Sequence, residues 1–420
     1  MRHGQRMAAS PPPSYPAAAS KLGEREFVML MALLQALQAF SIDAMLPALG
    51  AMAGDLGITS DNHRQLVVGV FLVSAGLGAL APGPLADRFG RRPVLLCYLA
   101  LFTLATAICA LSPDFTVLLV ARGIAGFVSA GLGVLPPTII RDRFQGDAMA
   151  RLQSLITMVF MLVPMLAPAI GQGILLLAGW RAIFGCTAMI AAIAAFWAWF
   201  RLEESLDSND RQSLAPGAIA SAMRDALLTR SAIGYVIGSA LISGGLFSFI
   251  NSAQQLLAEH FGMGAWFPLA FAAVALAMST GNFVNSRIVM RFGTRRICHA
   301  ALIGYLAMGL IQLHFSSQPD QTGLRFIVVM MGTLFMMGFI GGNFSAIALQ
   351  PFGRIAGAAA STHSFVRMLV GALLGAMVGQ FYDGSARPIA LALTLAGAAT
   401  LLLVLYSEEW RLFRRLNPRV

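Results

Sequence analysis

Gly83-Pro84-Leu85-Ala86-Asp87-Arg88-Phe89-Gly90-Arg91-Arg92 lies between two apolar stretches, and its core returns as Arg291-Phe292-Gly293-Thr294-Arg295-Arg296. The copies are about 203 residues apart, roughly half of the 420-residue chain. A period this long points to a duplicated membrane half rather than to a solenoid of short repeats. Each copy is flanked by segments of about 20 apolar residues, the length that crosses a bilayer as a helix.

Composition agrees with a lipid solvent. The chain is 57% hydrophobic and 11% charged, with a mean hydropathy of +0.73, whereas soluble domains carry charge on about a quarter of their residues. The net charge of +10 does not point to nucleic acid, because the arginines sit in short clusters at the ends of apolar segments and form no basic stripe. Cys97, Cys109, Cys186 and Cys298 lack CxxC or Cys/His ligand spacing and read as small apolar residues. The six histidines form no HExxH pair, so no metal is expected. The absence of GxxxxGK[ST], with Lys21 as the single lysine, argues against direct use of ATP.

Scanning for spans gives twelve helices, at 27–49, 65–86, 93–111, 115–137, 149–178 and 181–200, then 231–257, 266–290, 297–316, 324–349, 355–382 and 388–406. The expected fold is all-α and integral to the membrane, with twelve transmembrane helices in two pseudo-symmetric six-helix halves, 27–200 and 231–406. Residues 1–26 read as a disordered cytoplasmic tail without the apolar core of a cleavable signal. Residues 201–230 read as a cytoplasmic linker too short for a soluble domain, and 407–420 as a basic cytoplasmic tail. A cytoplasmic N-terminus puts 23 of the 29 Lys and Arg inside, leaves Arg64, Arg181, Arg325 and Arg387 outside, and leaves Arg122 and Arg367 within spans. The positive-inside rule therefore places both termini in the cytoplasm.

The GxLADRxGRR-like run between spans two and three, in a chain of two six-helix halves, resembles the major facilitator superfamily. The resemblance implies that Asp87, Arg88, Arg91 and Arg92 form a charge-relay latch joining the halves on the cytoplasmic side in the outward-open state, with Gly83 and Gly90 allowing tight packing. The competing reading is that these arginines only anchor a loop. Met290 stands where Asp87 would repeat, so the second latch should be weaker. Phe40 to Leu49, with Asp43 and Pro47, followed by Asp55-Leu56-Gly57, looks like the Bcr/CflA group of drug:proton antiporters. Pro164, Ala167-Pro168 and Gly171 in span five, Gly179-Trp180-Arg181 after it, and Ala356 to Ala359 at span eleven are similar to that group's pattern. The antiporter motif there usually has Gly-Pro and paired glycines, whereas Ala167 precedes Pro168 and Gln172 follows Gly171 here.

Asp43 is the one carboxylate well inside a span, and Arg122 and Arg367 are the arginines that are. Each costs about 2.5–3.5 kcal/mol at a helix centre on insertion scales and so needs a partner or water. Span one runs outward and span four inward, so at 1.5 Å per residue Asp43 and Arg122 both lie about 10 Å below the outer face. The resemblance implies that spans one and four both line the central cavity, which makes an Asp43–Arg122 pair the expected coupling device, since moving a carboxylate between apolar burial and a guanidinium changes its proton affinity. A fixed structural ion pair is the alternative. Arg122 also fits the family's span-four motif, with Gly126 four residues on and Ala125 where Gln is usual. His363 and Arg367 share a helix face at spacing four; with Asn251, Gln254, Asn343 and Met161 they are candidates to line a substrate cavity, although polar residues in spans often only join helices and the Met158, Met161, Met165 stripe also suits ordinary packing.

The functional expectation is proton-coupled efflux of small amphipathic compounds across a bacterial inner membrane by alternating access. The transporter would be a monomer with no cofactor beyond the proton gradient. An importer or a dedicated metabolite exporter of the same fold is the nearest alternative. A membrane enzyme or receptor would need a catalytic constellation or a soluble domain that the sequence does not show.

Overall fold

The computed structural model describes residues 22–58, 60, 62–144, 146–206, 224 and 228–414. Of the tail expected at 1–26, residues 1–21 lie outside them, as do most of the linker (207–223 and 225–227) and the last residues, 415–420; Glu24 to Glu26 belong instead to the first helix, where Glu26 accepts from Trp197 and Arg201. The described residues are helical in fourteen α-helices: α1 (Glu24–Asp43), α2 (Leu49–Asp55), α3 (Leu66–Gly78), α4 (Pro82–Phe89), α5 (Arg91–Leu111), α6 (Phe115–Arg143), α7 (Gly146–Ala178), α8 (Trp180–Arg201), α9 (Arg230–Ala253), α10 (Phe267–Phe292), α11 (Thr294–Ser316), α12 (Gly323–Leu349), α13 (Ala356–Gln380) and α14 (Arg387–Ser407). Among them, eleven helical segments are long and apolar enough to cross a membrane. The count becomes twelve when His63–Gly78 and Pro82–Phe89, bent by 45°, are one span. The twelve expected spans match these segments in order, each to within a few residues.

Two spans are broken for local reasons. Pro47 has no N–H to offer the Asp43 carbonyl and its ring clashes there. Accordingly α1 stops at Asp43, a 3-10 turn covers Leu46–Ala48, and the helix resumes as α2. In span two, α3 ends at Gly78 and α4 begins at Pro82, where a missing donor is harmless in the first turn.

The motif that decides the fold is not the loop the sequence suggested. Pro82–Phe89 is helical, α5 begins at Arg91, and the turn is Gly90 alone, at φ +100°. The second copy does the same, with Gly293 at φ +88° between α10 and α11. That conformation is open to glycine and costly for other residues, so the duplicated glycine sets the reversal in both halves.

Each half packs its own spans and meets the other along two seams, α3 against α13 and α7 against α10. Glycine permits the closest crossings. A Cβ built on Gly126 of α6 would lie 2.3 Å from the Phe71 carbonyl oxygen, and one on Gly78 2.2 Å from that of Phe127, so α3 and α6 touch backbone to backbone. Across the seam, Gly76 faces the Leu369 backbone at 2.7 Å by the same measure.

Gly126→Leu should force α3 and α6 apart and cost about 1–3 kcal/mol through overpacking. Thermal unfolding in detergent checks this, with Gly185→Ala as the control, because among the described residues nothing lies within 4 Å of a Cβ at Gly185.

Candidate functional site

Arg122 is fully buried in α6, and its side chain ties three other spans together. Nε donates to the Val67 carbonyl at 3.1 Å, and Nη1 donates to the Ser41 carbonyl at 3.3 Å and to Ser41 Oγ at 3.2 Å. The guanidinium carbon lies 4.1 Å from the Phe71 ring centroid and 5.6 Å from that of Phe184. Two aromatic faces and backbone carbonyls thus replace the water that a buried cation gives up. Nη2 has no hydrogen-bond partner among the described residues. A second polar tie follows one turn away from Arg122's neighbours, where Gln38 Nε2 donates to Ser129 Oγ at 3.4 Å.

Asp43 is 4% exposed at the C-terminal end of α1, two residues beyond the Ser41 contact. Asp43 and Arg122 therefore lie at a similar level along the bundle. The expected ion pair is absent, since among the described residues no carboxylate lies within 4.0 Å of Arg122. Depth along the membrane normal does not fix direction around a helix axis, and Arg122 spends its donors on Ser41 and Val67. Asp43 stands apart, beside the break that Pro47 makes.

That break is where the antiporter-motif helix arrives. A Cβ on Gly171 of α7 would sit 1.7 Å from the Ala44 carbonyl oxygen and 2.6 Å from its carbon, which makes Gly171 the contact point for the residue next to Asp43. Pro164 and Pro168 lie inside α7 and remove two helical donors just below that contact. Of the three motif residues, Gly171 is the one fitted to the end of α1, and Ala167 and Gln172 depart from the usual pattern.

The latch residues make a network within the first half. Arg91 Nη1 donates to Asp87 Oδ1 at 2.5 Å and Nε to Asp142 Oδ2 at 2.9 Å. Glu204, beyond span six, accepts from the backbone N–H of Arg91 at 2.8 Å and of Arg92 at 3.2 Å, capping α5. Arg92 Nη2 also donates to the Trp199 carbonyl at 2.6 Å, and Arg88 stacks on Phe89 at 5.2 Å. Among the described residues a Cβ at Gly83 meets nothing within 4 Å, while one at Gly90 would lie 2.5 Å from Glu204 Oε2. Close packing therefore belongs to Gly90 and not to Gly83.

The second half uses its corresponding carboxylate, Glu408, which the sequence reading missed. Glu408 Oε1 accepts from Arg295 Nε and from the Tyr235 hydroxyl, both at 2.7 Å. Tyr235 Oη also pairs with His299 Nε2 at 2.8 Å, and the Phe413 N–H donates to His299 Nδ1 at 3.1 Å. The backbone donor at Nδ1 requires the tautomer whose proton is on Nε2. The signal for this cluster was a carboxylate placed just after the last span of each half.

The remaining cavity candidates scatter. Asn343 spends its amide on Asn285 Oδ1 at 2.9 Å and the Phe339 carbonyl at 2.8 Å, so it joins α12 to α10. Asn251 Nδ2 donates to the Phe247 carbonyl at 2.8 Å. Gln254 Nε2 donates to Glu259 Oε1 at 2.9 Å, near the end of span seven. His363 Nε2 pairs with Ser345 Oγ at 3.0 Å. Arg367 and Met161 are partly exposed. The side chains of Ala356 to Ala358 lie outside the described residues. No group of His, Cys, Asp and Glu able to hold a metal occurs among the described residues.

Residues 31–376 match the model of the Major Facilitator Superfamily. The chain belongs to that superfamily. A bicyclomycin resistance protein homolog of Haemophilus influenzae is 29% identical over 86% of this chain and 91% of its own length. An MFS-type transporter of Bacillus subtilis, YdgK, is 30% identical over 83% of this chain and 87% of its own. The multidrug resistance protein MdtL of Escherichia coli is 27% identical over 80% and 85%. These relatives accord with the Bcr/CflA group that the motifs resemble. A D-xylose-proton symporter shares the fold at a TM-score of 0.70 and 17% identity, covering 91% of this chain and 97% of that one. The xylose transporter XylE of E. coli, in its inward-open conformation, does so at 0.68 and 15%, covering 91% and 95%. The chain is a multi-pass membrane transporter and not an enzyme.

Gly171→Val should drive α7 off the Ala44 carbonyl and abolish transport, with a stability loss of about 1–3 kcal/mol. Gly173→Val, where a Cβ meets nothing within 4 Å, should keep both; transport assays and thermal melts of the two variants check this.

Proposed function

We propose that this chain exports small amphipathic compounds from a bacterial cell in exchange for protons, as a monomer in the inner membrane. Both termini, the 201–230 linker and the tails at 1–26 and 407–420 face the cytoplasm. The end of the bundle that carries Arg91 is then the inner end, and the end that carries Arg64 the outer. The relatives named for bicyclomycin and multidrug resistance support export over import.

The observation that carries the proton coupling is Asp43, a carboxylate 4% exposed in mid-bundle with no cation within 4.0 Å among the described residues. It sits where a helix breaks and where the antiporter-motif glycine touches. A buried carboxylate without a fixed counter-charge is suited to exchange a proton against a substrate, because neither occupant competes with a permanent partner. Arg122 holds spans one, two and four in place around it, which replaces the pairing role expected from the sequence. Asp87, Arg88, Arg91 and Arg92, with Gly90, would complete a latch to the second half in the outward-open state. Arg367, His363, Asn251, Gln254 and Met161 remain candidates for contact with substrate.

The energetics are adequate for export. One proton crossing 100 mV releases about 2.3 kcal/mol, enough for roughly a fifty-fold gradient of an uncharged compound. Exchange of one proton for a monocation is electroneutral and gains only from the pH difference.

Adding candidate compounds to the purified, detergent-solubilised transporter should release protons, and Asp43→Asn should bind without release. Binding to the unmodified chain without proton release would rule out the coupling and leave a uniporter or a carrier coupled to another ion.

A further inference from the structure

Polar side chains cross between the halves at the Arg64 end. Asn62 Nδ2 donates to the carbonyls of Gln380 at 2.9 Å and Tyr382 at 3.1 Å, and Gln380 Nε2 donates back to the Asn62 carbonyl at 2.8 Å. Beside them Arg64, at the start of span two, pairs with Glu259 at the end of span seven. The Arg64 side chain is 7% exposed and that of Glu259 41%, so the pair seals the bundle on its inner side and meets solvent on its outer side.

The carboxylate is aimed by an unusual turn. Span seven ends in a π-helix over Gln254–His260, a form that is rare and occurs mostly at functional sites. Gln254 and Glu259 are five residues apart, which an α-helix would set about 140° apart around its axis. The wider π turn brings them together, and Gln254 Nε2 holds Glu259 Oε1 at 2.9 Å. Gly50 of α2 lies against both, and a Cβ built there would be 3.5 Å from Gln254 Nε2 and 3.9 Å from Glu259 Oε1. Below the polar contacts the seam has glycine on both sides. Gly69 meets Ala376 at 3.1 Å, and Gly379 meets Gln65 Oε1 at 2.3 Å by the same measure.

Polar contacts within a half can persist through a transport cycle, but contacts between halves that rock about a central site must break once in each cycle. The network at Arg91 closes inside the first half, while the contacts at Arg64 tie one half to the other. We propose that the Arg64–Glu259 pair, with the reciprocal Asn62–Gln380 amide contacts, is the releasable lock of the outer gate, closed in this state. The proposal rests on the orientation given above. Its strength suits the task, since a half-exposed pair holds without trapping.

The test labels Asn251→Cys, which lies in the seam at 1% exposure, in intact cells with a membrane-impermeant maleimide, against the parent chain as background. Adding Glu259→Gln should raise the labelling rate about two- to fivefold, and so should Arg64→Glu. The charge swap, Arg64→Glu with Glu259→Arg, should return it toward the starting rate. Rates unchanged in both single variants would overturn the lock. Labelling only from the cytoplasmic side would overturn the orientation, and the proposal with it. As an independent reading, a disulfide between Asn62→Cys and Gln380→Cys should halt transport until reduced, and transport through the intact cross-link would overturn the proposal.

Discussion

The first half of this transporter depends on one guanidinium placed where water does not reach. Arg122 has 0% exposure and no carboxylate within 4.0 Å among the described residues. It is tolerated because two backbone carbonyls, a serine hydroxyl and two aromatic faces take up its charge. Removing such a cation's contacts one by one is costly, since each leaves a buried donor unpaired. The same contacts fix spans one, two and four relative to one another, and so fix the level and setting of Asp43. A lysine could not reproduce the fork, which is planar and rigid.

The end of span one gains its character from this framework. Pro47 opens the helix at Asp43, and Gly171 admits the backbone of a second helix to the opening. A carboxylate there lies beside a helix break and has no cation within 4.0 Å among the described residues. A fixed Asp43–Arg122 ion pair, the alternative to the switching pair expected from their shared depth, would have been a poor proton exchanger, because the guanidinium would have competed with every proton. Arg122 acts instead by holding the walls.

Much of the architecture was legible because lipid imposes a length and a polarity on every span. The twelve segments, their order and the duplicated half came from hydropathy and from one repeated motif. That Asp43 and Arg122 share a level was also legible, since rise per residue is fixed, but whether they touch was not, since that depends on rotation about two helix axes. The loop at Gly83 to Arg92 proved to be a helix with a one-residue turn, which hydropathy misses because α4 is polar at its end. Glu204, Glu408, Arg64 and Glu259 were hidden for a different reason. They lie among the charges that terminate spans, and nothing local distinguishes a capping or bridging carboxylate from a solvated one.

The two halves use equivalent parts for unequal purposes. Gly90 and Gly293 make the same turn, but Glu204 caps backbone N–H groups whereas Glu408 receives Arg295 and Tyr235 side chains. With Met290 in place of Asp87 and 75% exposed, the second half gives up the relay and gains a buried network that reaches Phe413. The parts proposed for proton coupling lie in the first half, and the second supplies Glu259 and Gln380 to the cross-half contacts. The account therefore turns on Asp43, and reconstituted vesicles test it most directly. An imposed pH gradient should drive accumulation of a transported compound through the unmodified protein, while Asp43→Asn should still exchange labelled for unlabelled compound yet accumulate none. Accumulation by Asp43→Asn equal to that of the unmodified protein would contradict the account.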